Sequence, residues 1–458
     1  MQGNTYSFYK KFVEGEAKSG FWNAALYGVV ALNSFVIVYF LSVYEYGVYQ
    51  LILSVVALAE SLIVGMIDDV VFSDLSRYIG NDNNIFAKKL FKEYAWFKIG
   101  ASIFLAILVI LSSSLISAYY GYNDMAYPIS LAVTALPFMV SISVMNLFFR
   151  SNIYFSYLGA SVFGEVFKLI VIFWLWFWQG LGISQILISY LAGLVFSFLF
   201  SGFHFIRLYR RVFGDVKGYV HGSLVFKLFK KYGAWVFFRY IIAKIANNIR
   251  PWLIKFFVGT EGLGLFSFAR NIVAMIMRLL PLGMFGDLLP REIGDKKRVR
   301  FLFTRIIKYS AWLSFLCAGA SFFILPFLIN IFLPKYNLAV PLLKIMMVIV
   351  FLYGFYKIFR STLVVFKEQK TLALRSFDNS VLAPFTLVFL LPLFGVLGAA
   401  IEWVITYAVT VILFYFYLIK DYPYLVLKPK ELLVIDEYDK LFFMKMRRSV
   451  RDFLKNTL

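Results

Sequence analysis

The chain has 458 residues, 61% of them hydrophobic, with a mean hydropathy of +0.79 and a formal net charge of +21. Soluble domains sit nearer about 45–50% apolar, so most of this chain must be solvated by lipid, and the basic excess belongs on cytoplasmic loops rather than on a nucleic-acid face. A single cysteine, Cys317, rules out an internal disulfide, and two histidines, His204 and His221, argue against a histidine-based metal site.

The N-terminal stretch MQGNTYSFYKKFVEGEAKSG is polar and basic. The apolar run that follows from Phe21 is about 20 residues long and has no small-residue cleavage site, which reads as a retained spanning helix rather than a signal peptide. At about 20 apolar residues per span, about twelve helices are expected. They fall near 21–42, 48–71, 94–118, 126–149, 158–178, 183–206, 232–257, 263–289, 309–333, 341–362, 373–394 and 398–419. The connecting loops alternate in charge. One set carries RYIGNDNNIFAKKLFKE, RLYRRVFGDVKG, REIGDKKRVRFLFTRIIK and the tail from Lys420; the other set contains one lysine, Lys335. Basic loops stay inside, which places both termini in the cytoplasm. Every outward loop is very short.

The two halves match in order. EYGVYQLILSVVAL from Glu45 corresponds to EGLGLFSFARNIVAM from Glu261, GYNDMAYPI near Tyr122 to KYNLAVPL near Tyr336, and FFRS ending at Ser151 to IFRS ending at Ser361. Six helices per half gives both halves the same orientation, a parallel repeat whose axis runs along the membrane normal. The expected fold is therefore an all-α polytopic membrane protein of two six-helix bundles. Residues 1–206 form the N-terminal bundle, 207–231 a basic cytoplasmic linker, 232–420 the C-terminal bundle and 421–458 a cytoplasmic amphipathic tail.

The seventh span, FFRYIIAKIANNIRPWLIKFF, carries charges that cost about 2.5–3.5 kcal/mol each at the centre of a lipid-facing helix. On a helical wheel Arg239, Lys244, Asn247, Asn248, Arg250 and Lys255 share one half, and Ile and aromatic residues fill the other. Lys255 and Arg239 lie toward the ends and can snorkel; Lys244 and Arg250 are too deep for that. Pro251 is expected to kink the helix and free a carbonyl. The eighth span repeats the pattern, with Ser267, Arg270, Asn271 and Arg278 in one arc and Pro281 on the same side. In the first half Asn33 sits near mid-membrane, and Gln50, Ser54, Glu60, Ser61 and Asp68 line one side of the second helix, with Asp69 following. Glu165 and Lys168 are three apart and expected to pair with each other. Arg150 and Arg360 fall at cytoplasmic helix ends, where headgroup anchoring is the plain reading. Salt bridging with Glu60 and its neighbours is the structural alternative for the deep cations. Basic groups outnumber acidic ones at depth, however, and the surplus favours a water-filled cationic cavity whose arginine forks suit phosphate oxygens.

The EYGVY entry to the second helix, VGTEGLGLFSFARNIV leading into the eighth and LLPREIG closing it resemble the polysaccharide-export branch of the multidrug/oligosaccharidyl-lipid/polysaccharide superfamily, and within it Wzx-type O-antigen flippases of bacterial inner membranes. The resemblance runs to about Lys420. It implies two bundles around a cavity opening alternately to either side, and an undecaprenyl-pyrophosphate-linked oligosaccharide carried from the cytoplasmic to the periplasmic leaflet. It extends a basic cavity role to Arg239, Lys244, Arg250, Arg270 and Arg278. The substrate-facing set expected from sequence is these five with Asn247, Asn271 and Asn33; Glu60 and Asp68 are the candidate coupling or ion-pair acids. No catalytic residue, metal or cofactor is expected, and coupling to protons or sodium is left open.

Two other functions compete. A drug or cation antiporter of the same superfamily asks for acidic and aromatic cavity walls. A membrane-embedded glycan polymerase, ligase or acyltransferase asks for catalytic residues on a substantial loop, and no histidine–carboxylate pair lies at useful spacing near a helix end. Expected partners are the lipid-linked oligosaccharide, membrane lipids and other glycan-assembly proteins, with no nucleic acid. The basic, amphipathic tail KPKELLVIDEYDKLFFMKMRRSVRDFLKNTL suits the anionic inner leaflet.

Overall fold

The computed structural model describes residues 2–63, 68–121, 123–152, 154, 157–218, 220–228, 230, 234–280, 295–366, 368–440 and 444, with side chains described for these except at 2–20, 69, 123, 234–247 and 369–380. Among the described residues the secondary structure is helical throughout. The helices are α1 (Gln2–Phe40), α2 (Val43–Ile63), α3 (Asp68–Gly80), α4 (Asn84–Leu111), α5 (Ser113–Tyr120), α6 (Ala126–Val133), α7 (Leu136–Ser151), α8 (Gly159–Gln179), α9 (Ile183–Phe213), α10 (Leu224–Leu228) and α11 (Ala234–Leu279). They continue with α12 (Lys296–Phe332), α13 (Val340–Val365), α14 (Gln369–Phe394), α15 (Val396–Asp421) and α16 (Pro429–Leu433). Ten helices among the described residues are long and apolar enough to cross a membrane. The chain is a multi-pass membrane protein.

Local chemistry explains where the helices break. Pro137 opens α7 at a position whose N–H would be unsatisfied anyway, so the expected span at 126–149 is delivered as α6 and α7. Pro251 is carried inside α11; the backbone leaves helical geometry further on, at Gly259, with φ 89° and ψ 178°. A side chain there would meet the steric penalty of positive φ, which glycine escapes. The break falls in the GTEG segment that the sequence sets between two spans.

The chain divides into two compact units. The first comprises Met1–Arg278, Phe323–Met346 and Ser376–Thr406. Its aromatic core joins α4, α7 and α9 through Phe91, Phe148 and Phe213, with Phe91 and Phe148 ring centroids 4.7 Å apart. Its perimeter is apolar and open, with Phe104, Phe173, Trp174, Phe177 and Trp178 all exposed, as a lipid-facing wall requires.

Within this unit the matched segments of the repeat meet face to face. A Cβ added at Gly47 would lie 2.1 Å from the carbonyl oxygen of Thr260, and one at Gly264 would lie 2.2 Å from that of Val43. The start of α2 and the second stretch of α11 thus approach backbone to backbone, the small-residue contact by which membrane helices gain dispersion energy. Tyr336, from the second matched pair, packs against the Phe268 and Tyr46 rings beside this contact.

The second unit comprises Leu279–Phe322, Met347–Arg375 and Tyr407–Leu458. Its core gathers Phe303, Ile307, Phe359, Leu363, Phe414 and Leu418 from α12, α13 and α15. Beyond α15 the chain turns at Pro423–Leu425 and folds back along the start of α12. There Asp439, fully buried, accepts hydrogen bonds from Arg305 at 2.7 Å, Tyr309 at 2.7 Å and the Lys308 ammonium. Arg305 also pairs with Asp436, and the Trp312 indole donates to the Leu432 carbonyl at 3.0 Å. These contacts clasp the tail to α12.

Candidate functional site

The polar residues inside the first unit fall into three groups. The first lies on α11 and α15. Arg250, on the α11 face that the helical wheel singles out, donates from Nη2 to Glu402 Oε1 at 2.8 Å; its side chain is 11% exposed and that of Glu402 is 0% exposed. Thr406, one turn along α15, donates to the same oxygen at 2.8 Å. Among the described residues Glu402 Oε2 and Arg250 Nε have no hydrogen-bond partner. Arg270, further along α11, lies within electrostatic reach of Arg250 and Tyr46. Among the described residues no carboxylate comes within ion-pair distance of it. Its neighbour Asn271 donates to the Tyr46 hydroxyl at 2.8 Å, and Trp252 Nε1 donates to Ser54 Oγ at 3.0 Å. Asn248 reaches the Ala57 carbonyl at 3.4 Å, so α11 is tied to α2 along the polar side of α2 expected from sequence.

The second group ties α1 to α8. The amide of Asn33, 1% exposed, donates to Glu165 Oε2 at 2.7 Å and to the Glu165 carbonyl at 3.0 Å. Lys168 closes on Glu165 at 3.5 Å, the i,i+3 pair expected from spacing. The third group ties α3 to α4: Lys98, 2% exposed, pairs with Asp68 at 2.7 Å, and the Tyr94 hydroxyl donates to the same carboxylate oxygen at 2.8 Å. Beside it a cavity of about 400 Å³ is lined by Asp68, Phe72, Ser143, Asn146, Arg150 and Tyr157.

The residues singled out from sequence therefore part company. Arg250, Arg270 and Asn271 share one region of α11. Asn33 is spent on Glu165, and Asp68 is held by Lys98 and Tyr94, which makes each a bracing contact between helices. Arg278 is exposed near the end of α11. Glu60 is half-buried on α2 and engaged. The side chains of Arg239, Lys244, Asn247 and Asp69 lie outside the described residues, as do Pro281 and the LLPREIG segment. Glu402 was not singled out from sequence; the signal was a lone carboxylate in the run GVLGAAIEWVITYAV, where a charge is costly unless partnered. Lys98 was missed too, because it begins a span directly after a basic loop. No group of three or more metal-ligating side chains occurs among the described residues.

Residues 81–282 match a protein family described as polysaccharide biosynthesis protein. A comparison with curated proteins returns no match. Among solved structures, an inward-facing multidrug resistance MATE family transporter of the MOP superfamily matches with a TM-score of 0.71 at 14% identity, over 87% of this chain and 94% of that one. The lipid II flippase MurJ in an inward closed conformation matches with a TM-score of 0.70 at 15% identity, over 92% of this chain and 90% of that one. The chain has the MOP-superfamily fold. A third MOP structure, a Pyrococcus furiosus transporter whose binding pocket is described as reversed in polarity, matches with a TM-score of 0.54 at 14% identity, over 90% and 93% of the two chains. Identities this low establish the MOP fold and leave cargo to the side chains. The likeness to the polysaccharide branch, read from EYGVY and TEGLGLFSFARN, is supported by the family match across the middle of the chain and by the fold across nearly all of it.

Proposed function

We propose that the protein is a flippase for undecaprenyl-pyrophosphate-linked oligosaccharide repeat units, O-antigen or a related surface polysaccharide, moving them from the cytoplasmic to the periplasmic leaflet of a bacterial inner membrane. The observation that carries this reading is Arg270, a half-buried guanidinium on a membrane helix that has no carboxylate partner among the described residues. A guanidinium cannot shed its proton to escape that cost, so it calls for an anion, and pyrophosphate oxygens match its fork. Arg250 lies beside it, with Arg239, Lys244 and Arg278 on the same polar side of the sequence pattern. The polysaccharide family match and the MurJ-like fold favour a lipid-linked sugar as the source of that anion.

In this reading twelve helices form two six-helix bundles with both termini cytoplasmic. The count is supported by the ten spans among the described residues, the break at Gly259 that divides α11 in two, and α14 as a further helix. Alternating access would rock residues 1–206 against 232–420, with protons or sodium as candidate coupling ions and other glycan-assembly proteins as candidate partners. A MATE-type antiporter shares the fold, but an organic cation would be repelled by Arg270. Replacing Lys244 by alanine in a flippase-deficient host should impair surface-glycan export at unchanged protein level, and so should Arg250→Ala combined with Glu402→Gln, which removes the buried carboxylate that Arg250→Ala alone would strand. Normal export in a variant that also carries Arg270→Ala would overturn the proposal, and drug resistance conferred by the wild type would replace it with the antiporter.

A further inference from the structure

Between Tyr309 and Phe332 α12 has no charged residue, and at ~1.5 Å per residue that stretch covers ~36 Å, enough for the ~30 Å hydrocarbon core. Residues 296–308 therefore stand at headgroup level and beyond. Along this projecting end the folded-back tail encloses a cavity of about 550 Å³ lined by Lys297, Arg300, Thr304, Arg305, Lys430 and Glu431, with Asp436 and Phe301 completing the wall. Four cations thus face two carboxylates. Arg305 is committed to Asp436 and Asp439, and Arg300 pairs with Glu431 at 3.4 Å. Lys297 and Lys430 have no carboxylate partner among the described residues, and Thr304 adds a hydroxyl-bearing side chain to the lining. Val434 also lines the cavity, and with it the tail exposes a run of apolar side chains: Leu433 at 76%, Val434 at 60%, Ile435 at 56% and Tyr438 at 64%.

Cations around a hollow, a hydroxyl-bearing side chain in its lining and an apolar rim at the bilayer surface are the parts needed to hold a lipid phosphate while its acyl chains stay in the membrane. We propose that this cavity is a binding site for the phosphate headgroup of an anionic lipid, held by Lys297 and Lys430 with Arg300 and Thr304. The buried Asp439 explains how the site is built. By neutralising Lys308 and Arg305 from beneath, it fixes the tail against α12 and leaves the two lysines as the uncompensated charge.

The test uses the full chain, purified in detergent and offered equimolar cardiolipin, phosphatidylglycerol and phosphatidylcholine, with retained lipid counted by native mass spectrometry. Wild-type protein should retain the anionic lipids in preference to phosphatidylcholine. Lys297→Ala/Lys430→Ala should weaken that retention roughly tenfold to thirtyfold, the loss of two surface cations. Lys217→Ala, at an exposed lysine of the first unit, should leave it unchanged. Neither lysine takes part in the clasp, so folding is preserved, and unchanged melting of the double variant checks this. Equal retention by wild type and double variant, or equal loss in Lys217→Ala, overturns the proposal. Inorganic pyrophosphate forms a second arm. If it protects Lys297 and Lys430 from acetylation and no lipid does, the same cations serve a soluble phosphate and the lipid assignment fails.

Discussion

Replacing Arg250 by methionine tests how the deep charges are divided between structure and transport. At 2.8 Å the attraction between Arg250 and Glu402 is about 6 kcal/mol at an effective dielectric of ~20, while taking each ion out of water costs several kcal/mol. The pair as a whole is therefore close to neutral for stability, but either half alone is not. Arg250→Met leaves Glu402, fully buried, with the Thr406 hydroxyl as its one partner among the described residues. The expected loss is about 3–5 kcal/mol, read as a fall in melting temperature of roughly 5–15 °C by scanning fluorimetry. Adding Glu402→Gln removes the stranded charge and should recover most of that loss. Surface-glycan export then separates the roles: a double variant that is stable yet fails to export places Arg250 in the substrate path. If Arg250→Met melts like wild type, or the double variant melts no higher than the single, the buried pair is not as described. Full export by the double variant would remove Arg250 from the anion site and leave Arg270.

Three further outcomes follow from the same geometry. Gly47→Ala and Gly264→Ala each drive a methyl group to within 2.1–2.2 Å of a backbone carbonyl that cannot rotate away; each should cost about 1–3 kcal/mol and lower the folded yield, while Gly100→Ala, at open space, should not. Asp68→Asn strands Lys98 at 2% exposure, so it should reduce protein level by destabilisation of about 3–5 kcal/mol, and adding Lys98→Met should restore it; a well-folded Asp68→Asn protein with altered ion dependence would instead favour a coupling role. In the clasp, burial pushes the Asp439 carboxyl up, but hydrogen bonds from Lys308, the Asp436 backbone and Tyr309, with the Arg305 charge, outweigh it and hold the group well below the usual carboxylate range. A depressed folded value gives stability that is present above the unfolded value of about 3.9 and lost only as pH falls through the folded one. Amide exchange protection of residues 429–440 should therefore be flat from pH 8 to about 5, and Asp439→Asn should abolish it throughout.

How much of this was written in the sequence depends on how far apart the interacting residues lie along the chain. Long apolar helices and the break at Gly259 are local properties, set by apolar run length and glycine, and they were legible. The pairing of Glu165 with Lys168 was legible for the same reason. The helix limits were not, since the expected 48–71 and 94–118 are found as α2 and α3 and as α4 and α5, and the expected 309–333 starts at Lys296. Arg250 and Glu402 are separated by 152 positions, and nothing in either span names the other; only the cost of a lone buried carboxylate pointed to Glu402. The clasp was hidden twice over. The segment ELLVIDEYDK reads as an amphipathic surface tail, and the cations that hold Asp436 and Asp439 lie about 130 positions earlier in what reads as a basic loop. Asn33 misled for a different reason: a polar residue at mid-membrane signals a partner, but not whether that partner is cargo or a neighbouring helix.

The pairings themselves bear on Arg270, which has no carboxylate partner among the described residues. Asp68 sits on the short α3, Glu165 and Glu402 on helices long and apolar enough to cross a membrane, and each is matched to a cation on the same or a neighbouring helix: Lys98, Lys168 and Arg250. Each match also carries a second donor, Tyr94, Asn33 or Thr406, so these carboxylates are held by two hydrogen-bonding groups rather than by charge alone. A chain that partners its buried acids this thoroughly does not lack the means to partner Arg270; a single acidic substitution on a facing helix would suffice. Leaving that guanidinium without a carboxylate costs stability, and a stability cost persists where function needs it. Under the proposed flippase reading, that function is the transient binding of an anion that must also leave.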